Sequence, residues 1–264
     1  ALHRTLRVNP LFPSTVNGQP VKHGFVTSEH LDDPSLDEGL VAELERAGFP
    51  VTPYPLAAAA YRDYVARAAY PADYYGGGAD PGFTEKALEH HVSAEFLGLT
   101  PDHTFLDVAS AASPFPDIVR RLWSPDRVLR QDLLYPDGIH GDTIGGDAAA
   151  LPLPDGSVDR VTLHCAYEHF EGDADGRLIT ELGRVLAPGG RAVILPLYLA
   201  HEFTNHTDPV YTLRHGAGLR FDPGAVIRYA DWRNRFTRSY DVPRFLDRVV
   251  SRLGPLRLTL HLAT

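Results

Sequence analysis

The middle of the chain, from about residue 100 to residue 200, alternates short apolar runs with longer amphipathic segments. The runs "TFLDVA", from Thr104, and "RAVILPLYL", from Arg191, have the continuous apolar character of strands buried on both faces. Between them, "DADGRLITELGRVLAPGG" carries apolar residues at helical spacing and ends in two glycines. Strand signals that alternate with helix signals predict a parallel sheet joined by crossover helices.

Five strands are predicted in this region. They correspond to "TFLDVA", "DRVLRQD", a short strand within "DTIGGDAAALPLP", "VDRVTLHCA" and "RAVILPLYL". The first connecting helix is predicted at "PFPDIVRRLW", where Pro114 occupies a first-turn position at which its missing N–H is harmless. The predicted fold class is therefore α/β, with a mostly parallel central sheet.

The segments on either side of this region carry weaker patterns. We predict an N-terminal extension and helical cap over residues 1–83 and a single α/β domain over residues 84–264. The segment "HEFTNHTDPVYTLRHGAGLRFDP", which begins at His201, reads as a loop or a lid. Helices are predicted over residues 35–48, 56–70, 84–97 and 240–254, and a closing strand at "LRLTLHLAT".

The composition of the chain limits the classes of partner that it can bind. The formal net charge is −9 and the 25 basic residues are scattered, so the chain lacks the clustered cations that bind nucleic acid phosphates. One cysteine, Cys165, excludes an intrachain disulfide and a thiolate metal cluster. The sequence shows neither an apolar run of membrane-spanning length nor a signal-peptide pattern. We predict a cytoplasmic protein with a small-molecule partner, no membrane partner and no nucleic acid, and leave a homo-oligomer open.

Polar residues end several of the predicted strands. In an α/β sheet the ligand lies beyond the carboxyl ends of the strands, which draws attention to Asp107, Asp132, Asp147 and His164. Asp132 follows Ser113 by 19 residues, the separation expected for a carboxylate that holds a ribose diol. The alternative is an acidic residue that is merely solvated or caps a helix.

The first strand is followed by "ASAASP", a turn without glycine. A dinucleotide fold needs glycine there to bring the backbone close to a pyrophosphate, so the turn argues against NAD and FAD. A nucleoside ligand without phosphate is compatible with Ala and Ser when φ stays negative. A positive φ would cost about 1 kcal/mol for each alanine, which is tolerable once or twice.

The span that contains "LDVASAASPF", "RQDLLYPDG" and "LPLPDGSVDRVTLHCAYEHFEGDADGRLITELGRVLAPGGRAVILPLY" resembles the class I S-adenosylmethionine-dependent methyltransferases over about residues 84–200. The resemblance implies a Rossmann-like methyltransferase fold with helices on both faces of the sheet. It also implies S-adenosylmethionine as the cofactor. The residues implied to bind it are Asp107, Ala109, Ser110 and Ser113 beside the methionine portion, Asp132 at the ribose, Asp147 and Ala148 at the adenine, and His164 on the methyl side.

The segment "HCAYEHFEGDAD" after the fourth strand is dense in groups that transfer protons. We predict His169 as the base for a hydroxyl acceptor, with Glu168 or His164 as the second choice. The alternative for His169 is packing or capping at a helix start. The His and carboxylate side chains of the same cluster could also hold a divalent cation, an alternative that we do not favour. The segment "HEFTNH" does not have the spacing of the HExxH zinc motif.

These observations predict an enzyme that uses S-adenosylmethionine to methylate a small molecule, most readily at oxygen. The alternative from another class is a protein with this fold that no longer methylates and either serves as a binding or scaffold subunit or uses the pocket for a different reaction. A nicotinamide oxidoreductase is a third alternative, and the missing GxGxxG pattern counts against it.

Overall fold

The computed structural model describes residues 15–16, 19–26, 34–78, 80–230 and 232–263. The strands are β1 (Thr15–Val16), β2 (Gln19–Val26), β3 (Val51–Tyr54), β4 (Thr104–Val108), β5 (Arg127–His140), β6 (Thr143–Gly145), β7 (Val158–His164), β8 (Leu186–Leu195), β9 (Thr204–Thr207), β10 (Val226–Ala230), β11 (Thr237–Ser239) and β12 (Leu260–Ala263). The helices are α1 (Pro34–Arg46), α2 (Ala58–Ala68), α3 (Pro81–Leu97), α4 (Phe115–Trp123), α5 (Ala174–Val185), α6 (Pro209–His215) and α7 (Val242–Arg248). Short 3-10 helices lie at Tyr74–Gly78, Ala148–Ala150, Tyr167–His169 and Val250–Arg252.

A five-stranded sheet in the order β6-β5-β4-β7-β8 forms the centre of the molecule, and all of its strand pairs are parallel. β4 is the middle strand, where Leu106 lies opposite Leu129 of β5 and Val161 of β7. All three leucine and valine side chains are buried. The predicted α/β fold with a parallel central sheet is therefore confirmed.

Helices cover both faces of this sheet because successive β4 side chains point to opposite sides. Phe105 packs with Phe115 and Val119 of α4 in one cluster. Leu106 belongs to a second cluster that includes Leu182 of α5. None of the helices in the described part of the chain has the length and apolar character that crossing a membrane requires.

The helix α5 is shorter than its sequence pattern indicates. We predicted it to run to the glycine pair at residues 189–190, but it ends at Val185 and β8 begins at Leu186. The glycines belong to a tight turn within the following strand, since a Cβ at Gly190 would lie 2.8 Å from the carbonyl oxygen of Ala187. They mark a close backbone approach and not the end of the helix.

A second five-stranded sheet, in the order β1-β2-β10-β9-β11, adjoins the central domain. The strand β9 of this sheet and the helix α6 lie within the segment that we predicted as a loop or lid, so the loop prediction was wrong for residues 204–207 and 209–215. The reason is the composition of β9, whose residues Thr204, Asn205, His206 and Thr207 are all polar and all buried. A strand of this kind has no apolar alternation to detect.

A buried arginine joins this second sheet to the loop that follows β7. Arg238 on β11 is fully buried and donates hydrogen bonds to both carboxylate oxygens of Asp222, at 2.7 and 2.9 Å. It also donates to the carbonyl oxygens of Phe170 and Gly172, at 2.7 and 3.0 Å, and lies 3.2 Å from Asp175. One side chain therefore fixes the position of residues 170–175 relative to the second sheet.

Because His206 in β9 is buried, we expect the folded protein to lose stability in acid. Burial and, to a smaller extent, the charge of Arg228 together lower the pKa of His206 to about 4. The unfolded chain takes up this proton near pH 6.5 and the folded chain only near pH 4, so stability is complete above pH 6.5 and falls as the pH drops. We expect a loss of about 3 kcal/mol from this residue across that window.

Urea unfolding of the wild type and His206→Gln at several pH values between 7.5 and 4.5 measures this effect. The glutamine variant should lose less stability on acidification. Burial also lowers the pKa of His90 well below its usual value, so a smaller acid dependence should remain in the variant. Identical slopes for the two proteins would contradict the assignment to His206.

Candidate functional site

Asp107 and His164 meet at the carboxyl ends of the adjacent strands β4 and β7. Asp107 is buried, and its Oδ1 accepts a 2.7 Å hydrogen bond from the Thr162 hydroxyl. The His164 Nδ1 lies 3.7 Å from the same oxygen, while its Nε2 is 2.8 Å from the Ser93 Oγ on α3. The sheet and α3 together hold both side chains in one orientation.

This edge of the sheet lacks hydrogen-bond partners for several buried atoms. Six buried side-chain atoms in the described part of the chain have no partner, and four of them belong to Glu89, Asp107, His164 and Glu168. Burial raises the pKa of Glu89 and of Glu168, and the charge of Glu89 adds to the rise at Glu168. Because buried polar atoms are normally paired, this cluster has the character of a site that receives hydrogen bonds from a ligand.

Lys86 supplies the cation of this cluster. Its Nζ is 3.0 Å from Glu89 Oε1, 3.3 Å from Glu85 Oε1, and in contact with the Sγ of Cys165. Burial alone would lower the pKa of Lys86, but the hydrogen bond to Cys165 and the charge of Glu89 raise it overall. Burial raises the pKa of the Cys165 thiol.

The ligand atoms of Glu85, Glu89 and Cys165 lie within 4.8 Å of one another, which is a spacing that a metal ion would accept. The ammonium group of Lys86 contacts all three. In this arrangement a protein cation already balances the carboxylates, so a divalent ion would have to compete with Lys86.

The turn after β4 contains no glycine, and one of its residues adopts a conformation that glycine usually provides. Ala109 has φ +57° and carries the left-handed conformation, at a cost of about 1 kcal/mol. The turn is then fastened to β5, since the Ser110 N–H donates to the Gln131 carbonyl oxygen at 2.9 Å. The Ser113 N–H closes it by donating to the Ser110 carbonyl oxygen, also at 2.9 Å. Only one of the turn's residues needs the unfavourable conformation.

Asp132 lies at the end of the regular part of β5 and touches this turn. Its carboxylate accepts the N–H of Ala111 and the N–H of Leu134, both at 2.9 Å. A carboxylate offers about four lone-pair positions, so two remain for a ligand. Leu133 and Leu134 beside it are 76% and 82% exposed, which leaves an apolar surface next to the carboxylate.

Asp147 has local partners. Its Oδ1 caps the Ala148–Ala150 helix by accepting the N–H of Ala149 at 2.9 Å, and its Oδ2 lies 3.0 Å from Arg177. Asp147 is exposed and Ala148 is buried. Asp147 therefore caps a short helix and pairs with Arg177 in this structure.

Glu168 and His169 lie together on the short helix after β7. The His169 Nδ1 is 2.6 Å from the carbonyl oxygen of Phe236. Because a carbonyl oxygen only accepts, Nδ1 carries the hydrogen and the neutral ring keeps its lone pair on Nε2. That Nε2 lies 3.6 Å from Glu168 Oε1, and burial raises the pKa of Glu168 while the charge of His169 lowers it.

A cleft of about 250 Å³ opens beside His169. Its walls come from the loop after β7, from α6 and from the segment before β11. The residues that line it are His169, Glu171, Tyr211, Asn234, Arg235 and Phe236. Sequence analysis singled out His169 among them, and Glu171 lies in the same segment of proton-transfer groups. The other four residues lie more than 40 positions further along the chain.

The aromatic residues ahead of the domain stack on His90 of α3, which in turn stacks on the first residue of α4. The ring of Tyr70 stacks on Tyr74 at 5.6 Å and on His90 at 5.8 Å, and His90 stacks on Phe115 at 4.8 Å. The Tyr70 hydroxyl also lies 2.9 Å from the His90 Nδ1. These contacts place the helical cap against the first residue of α4, just beyond the glycine-free turn.

Comparison with known proteins agrees with this geometry. Residues 75–194 match the family model described as a methyltransferase domain. This part of the chain is a methyltransferase domain, and its sequence pattern resembles that of the class I S-adenosylmethionine-dependent methyltransferases. The matched residues include the whole central sheet up to the last residues of β8, and also the glycine-free turn and the Glu168–His169 pair.

Curated relatives of this chain match over short segments. The demethylmenaquinone methyltransferase of Thermus thermophilus is 45% identical over 58 residues, which is 22% of this chain and 26% of that protein. The enzyme of the same name from Deinococcus radiodurans is 46% identical over 50 residues, or 19% of this chain and 20% of that protein. The chain thus spans about a quarter of the length of the curated relatives it matches.

Solved structures of similar fold include the YcgJ protein from Bacillus subtilis, with a TM-score of 0.41, 19% identity and coverage of 62% of this chain and 67% of that one. Another is the Burkholderia thailandensis 1,6-didemethyltoxoflavin-N1-methyltransferase, with bound 1,6-didemethyltoxoflavin and S-adenosylhomocysteine. Its TM-score is 0.41 at 18% identity, over 77% of this chain and 82% of that one.

Proposed function

We propose that this chain binds S-adenosylmethionine at the carboxyl ends of β4 and β5 and transfers its methyl group to an oxygen of a small-molecule acceptor. The observation that carries the proposal is the cluster of buried, unpartnered polar atoms on Glu89, Asp107, His164 and Glu168. Three of these residues are carboxylates, which suits a ligand that carries positive charge and N–H donors.

The residues present fit the parts of this cofactor. Asp107 and Glu89 offer acceptor oxygens for an ammonium group. Asp132 keeps lone-pair positions for a ribose diol, beside the exposed side chains of Leu133 and Leu134, which offer an apolar surface for a flat base. The predicted contact of Asp147 with the adenine stays a prediction, as do those of Ala109, Ser110, Ser113, Ala148 and His164 with the cofactor.

When bound, S-adenosylmethionine supplies an electrophilic methyl group on a sulfonium. The protein's part in an in-line displacement is to align the acceptor and remove its proton. We propose that His169 Nε2 accepts the hydroxyl proton as the acceptor oxygen takes the methyl group. Glu168 Oε1, at 3.6 Å, then stabilises the positive imidazolium, and the His169 side chain, 40% exposed, passes the proton to water.

Asp132→Ala tests the cofactor site. Removing a charged acceptor that binds two ribose hydroxyls should raise the dissociation constant for S-adenosylhomocysteine about 10- to 100-fold. The measurement is calorimetric titration of the purified wild type and variant. Asp142→Ala, at an exposed position paired with Arg120, is the control and should bind like the wild type. Equal affinity for Asp132→Ala and wild type would remove Asp132 from the site.

The same titration tests the function as a whole. Micromolar binding of S-adenosylmethionine to the wild type is the expected result. If the folded protein binds neither S-adenosylmethionine nor S-adenosylhomocysteine, the proposal is wrong and the chain is a non-catalytic or repurposed member of its family.

A further inference from the structure

The cleft beside His169 has an aromatic wall held in place by a neighbouring ring. Tyr211 of α6 is 37% exposed and its ring lies 4.3 Å from that of His215, centroid to centroid. Phe236 also lines the cleft and is almost fully buried. An aromatic wall on a helix presents a flat face, which favours a planar ligand.

The charged residues of the cleft neutralise each other. Arg235 forms a two-pronged pair with Glu171, with Nε to Oε1 at 2.6 Å and Nη2 to Oε2 at 2.9 Å. The remaining Nη1 of Arg235 donates to the carbonyl oxygen of His215 at 2.7 Å. A ligand therefore meets no free charge from this pair, and a neutral molecule fits the cleft better than an anion.

Two hydrogen-bond acceptors in the cleft lack donors. The Oδ1 of Asn234 is buried and has no partner among the described residues. The Nε2 of His169 keeps its lone pair because Nδ1 is committed to Phe236. An acceptor that is buried without a donor, such as Asn234 Oδ1, is costly, and a ligand that brings one donor for it and a second for His169 Nε2 would satisfy both positions.

The Glu168–His169 pair connects this cleft to the cluster at the carboxyl ends of β4 and β7. Glu168 lies 3.6 Å from His169 on the cleft side. Glu168 also follows Cys165 by three residues, and the Sγ of Cys165 lies 3.1 Å from Glu89 Oε1 in that cluster. The cleft thus adjoins the site that we assign to the cofactor.

We infer that this cleft is the acceptor site and that it binds a neutral aromatic ring with two hydrogen-bond donors, such as a benzenediol. The inference that the bound ring is a methyl acceptor rests on the proposed function. One hydroxyl donates to His169 Nε2 and is the group that becomes methylated. The second donor is held by Asn234 Oδ1, which makes Asn234 a positioning residue, and Tyr211 covers the face of the ring.

Ligand-observed NMR on the full chain, without cofactor, tests the binding of catechol, resorcinol and hydroquinone. We expect at least one of them to bind, and 1,2-dimethoxybenzene and benzoate to bind at least 10-fold more weakly, because the first has no donors and the second is charged. Equal binding of 1,2-dimethoxybenzene, or failure of all three diols, would overturn the inference.

Two pairs of variants locate the binding. Asn234→Leu should weaken diol binding at least 10-fold, while Asn234→Asp keeps an acceptor oxygen and should retain most of it. Tyr211→Ala should weaken binding and Tyr211→Phe, which keeps the ring, should not. Unchanged affinity in both Asn234→Leu and Tyr211→Ala would place the ligand elsewhere.

Titration of each variant with S-adenosylhomocysteine separates this inference from the proposed function. The cofactor affinity should equal that of the wild type in all four variants, which also shows that they are folded. If the wild type binds S-adenosylhomocysteine but none of the diols, the acceptor-site inference is wrong and the proposed function is unaffected. Absence of cofactor binding in the wild type, with diol binding intact, overturns the proposed function and leaves the cleft as a binding site.

Discussion

Replacing Arg238 with methionine should lower the free energy of unfolding by about 3–5 kcal/mol, because it leaves the buried carboxylate of Asp222 without its main partner. Arg238 is fully buried and makes two hydrogen bonds to Asp222 as well as bonds to the carbonyl oxygens of Phe170 and Gly172. Urea unfolding followed by circular dichroism measures the change.

Two further variants distinguish this network from an ordinary surface pair. Arg120→Met removes an arginine that is 47% exposed and pairs with Asp117 and Asp142 on the surface, and should change stability by less than about 1 kcal/mol. The double variant Arg238→Met/Asp222→Leu removes both charges and should recover part of the loss. A loss for Arg238→Met no larger than that for Arg120→Met would contradict the importance of the buried pair.

The second large effect is expected at His169. His169→Gln should reduce the turnover number for methyl transfer about 10²- to 10⁴-fold, the range typical of a lost general base. The dissociation constant for S-adenosylhomocysteine and the KM for the acceptor should change little, since a glutamine side chain still fills the position. Transfer of a labelled methyl group from S-adenosylmethionine to a benzenediol provides the measurement.

His103→Gln is the matched control. His103 lies just before β4, at the amino end of the central sheet and therefore at the edge opposite the site, where its Nδ1 accepts the N–H of Thr100 at 3.0 Å. The control should keep wild-type turnover. If His169→Gln also does so, the packing or capping role that sequence analysis left open for His169 is the correct one.

The central sheet was predictable because its strands are apolar on both faces and its helices carry apolar stripes. Leu106 and Val161 lie in strands that their sequence alone marks as buried. The second sheet was not predictable, because Asn205 and His206 are polar residues buried by partners distant in the chain. Asn205, for example, donates to the carboxylate of Asp222 at 2.8 Å and accepts its N–H at 2.7 Å.

The same contrast applies to the candidate site. Asp107, Asp132 and His164 were identified because strand ends converge at one edge of a parallel sheet, and the structure brings Asp107 and His164 together. Lys86 and Glu89 were missed, since charged residues on a helix usually face water. Their role depends on the packing of α3 against Cys165, which lies 79 residues after Lys86.

Two adjacent strands leave the sheet through residues that carry a Cβ in a conformation favoured by glycine: Ala109 after β4, with φ +57°, and Cys165 after β7, with φ +43°. Residues with a Cβ have fewer backbone conformations open to them than glycine has. Each exit can therefore depart from its observed shape in fewer ways than a glycine turn could. Their shape is set when the chain folds, and a ligand that fits between them meets a rim that needs little further ordering.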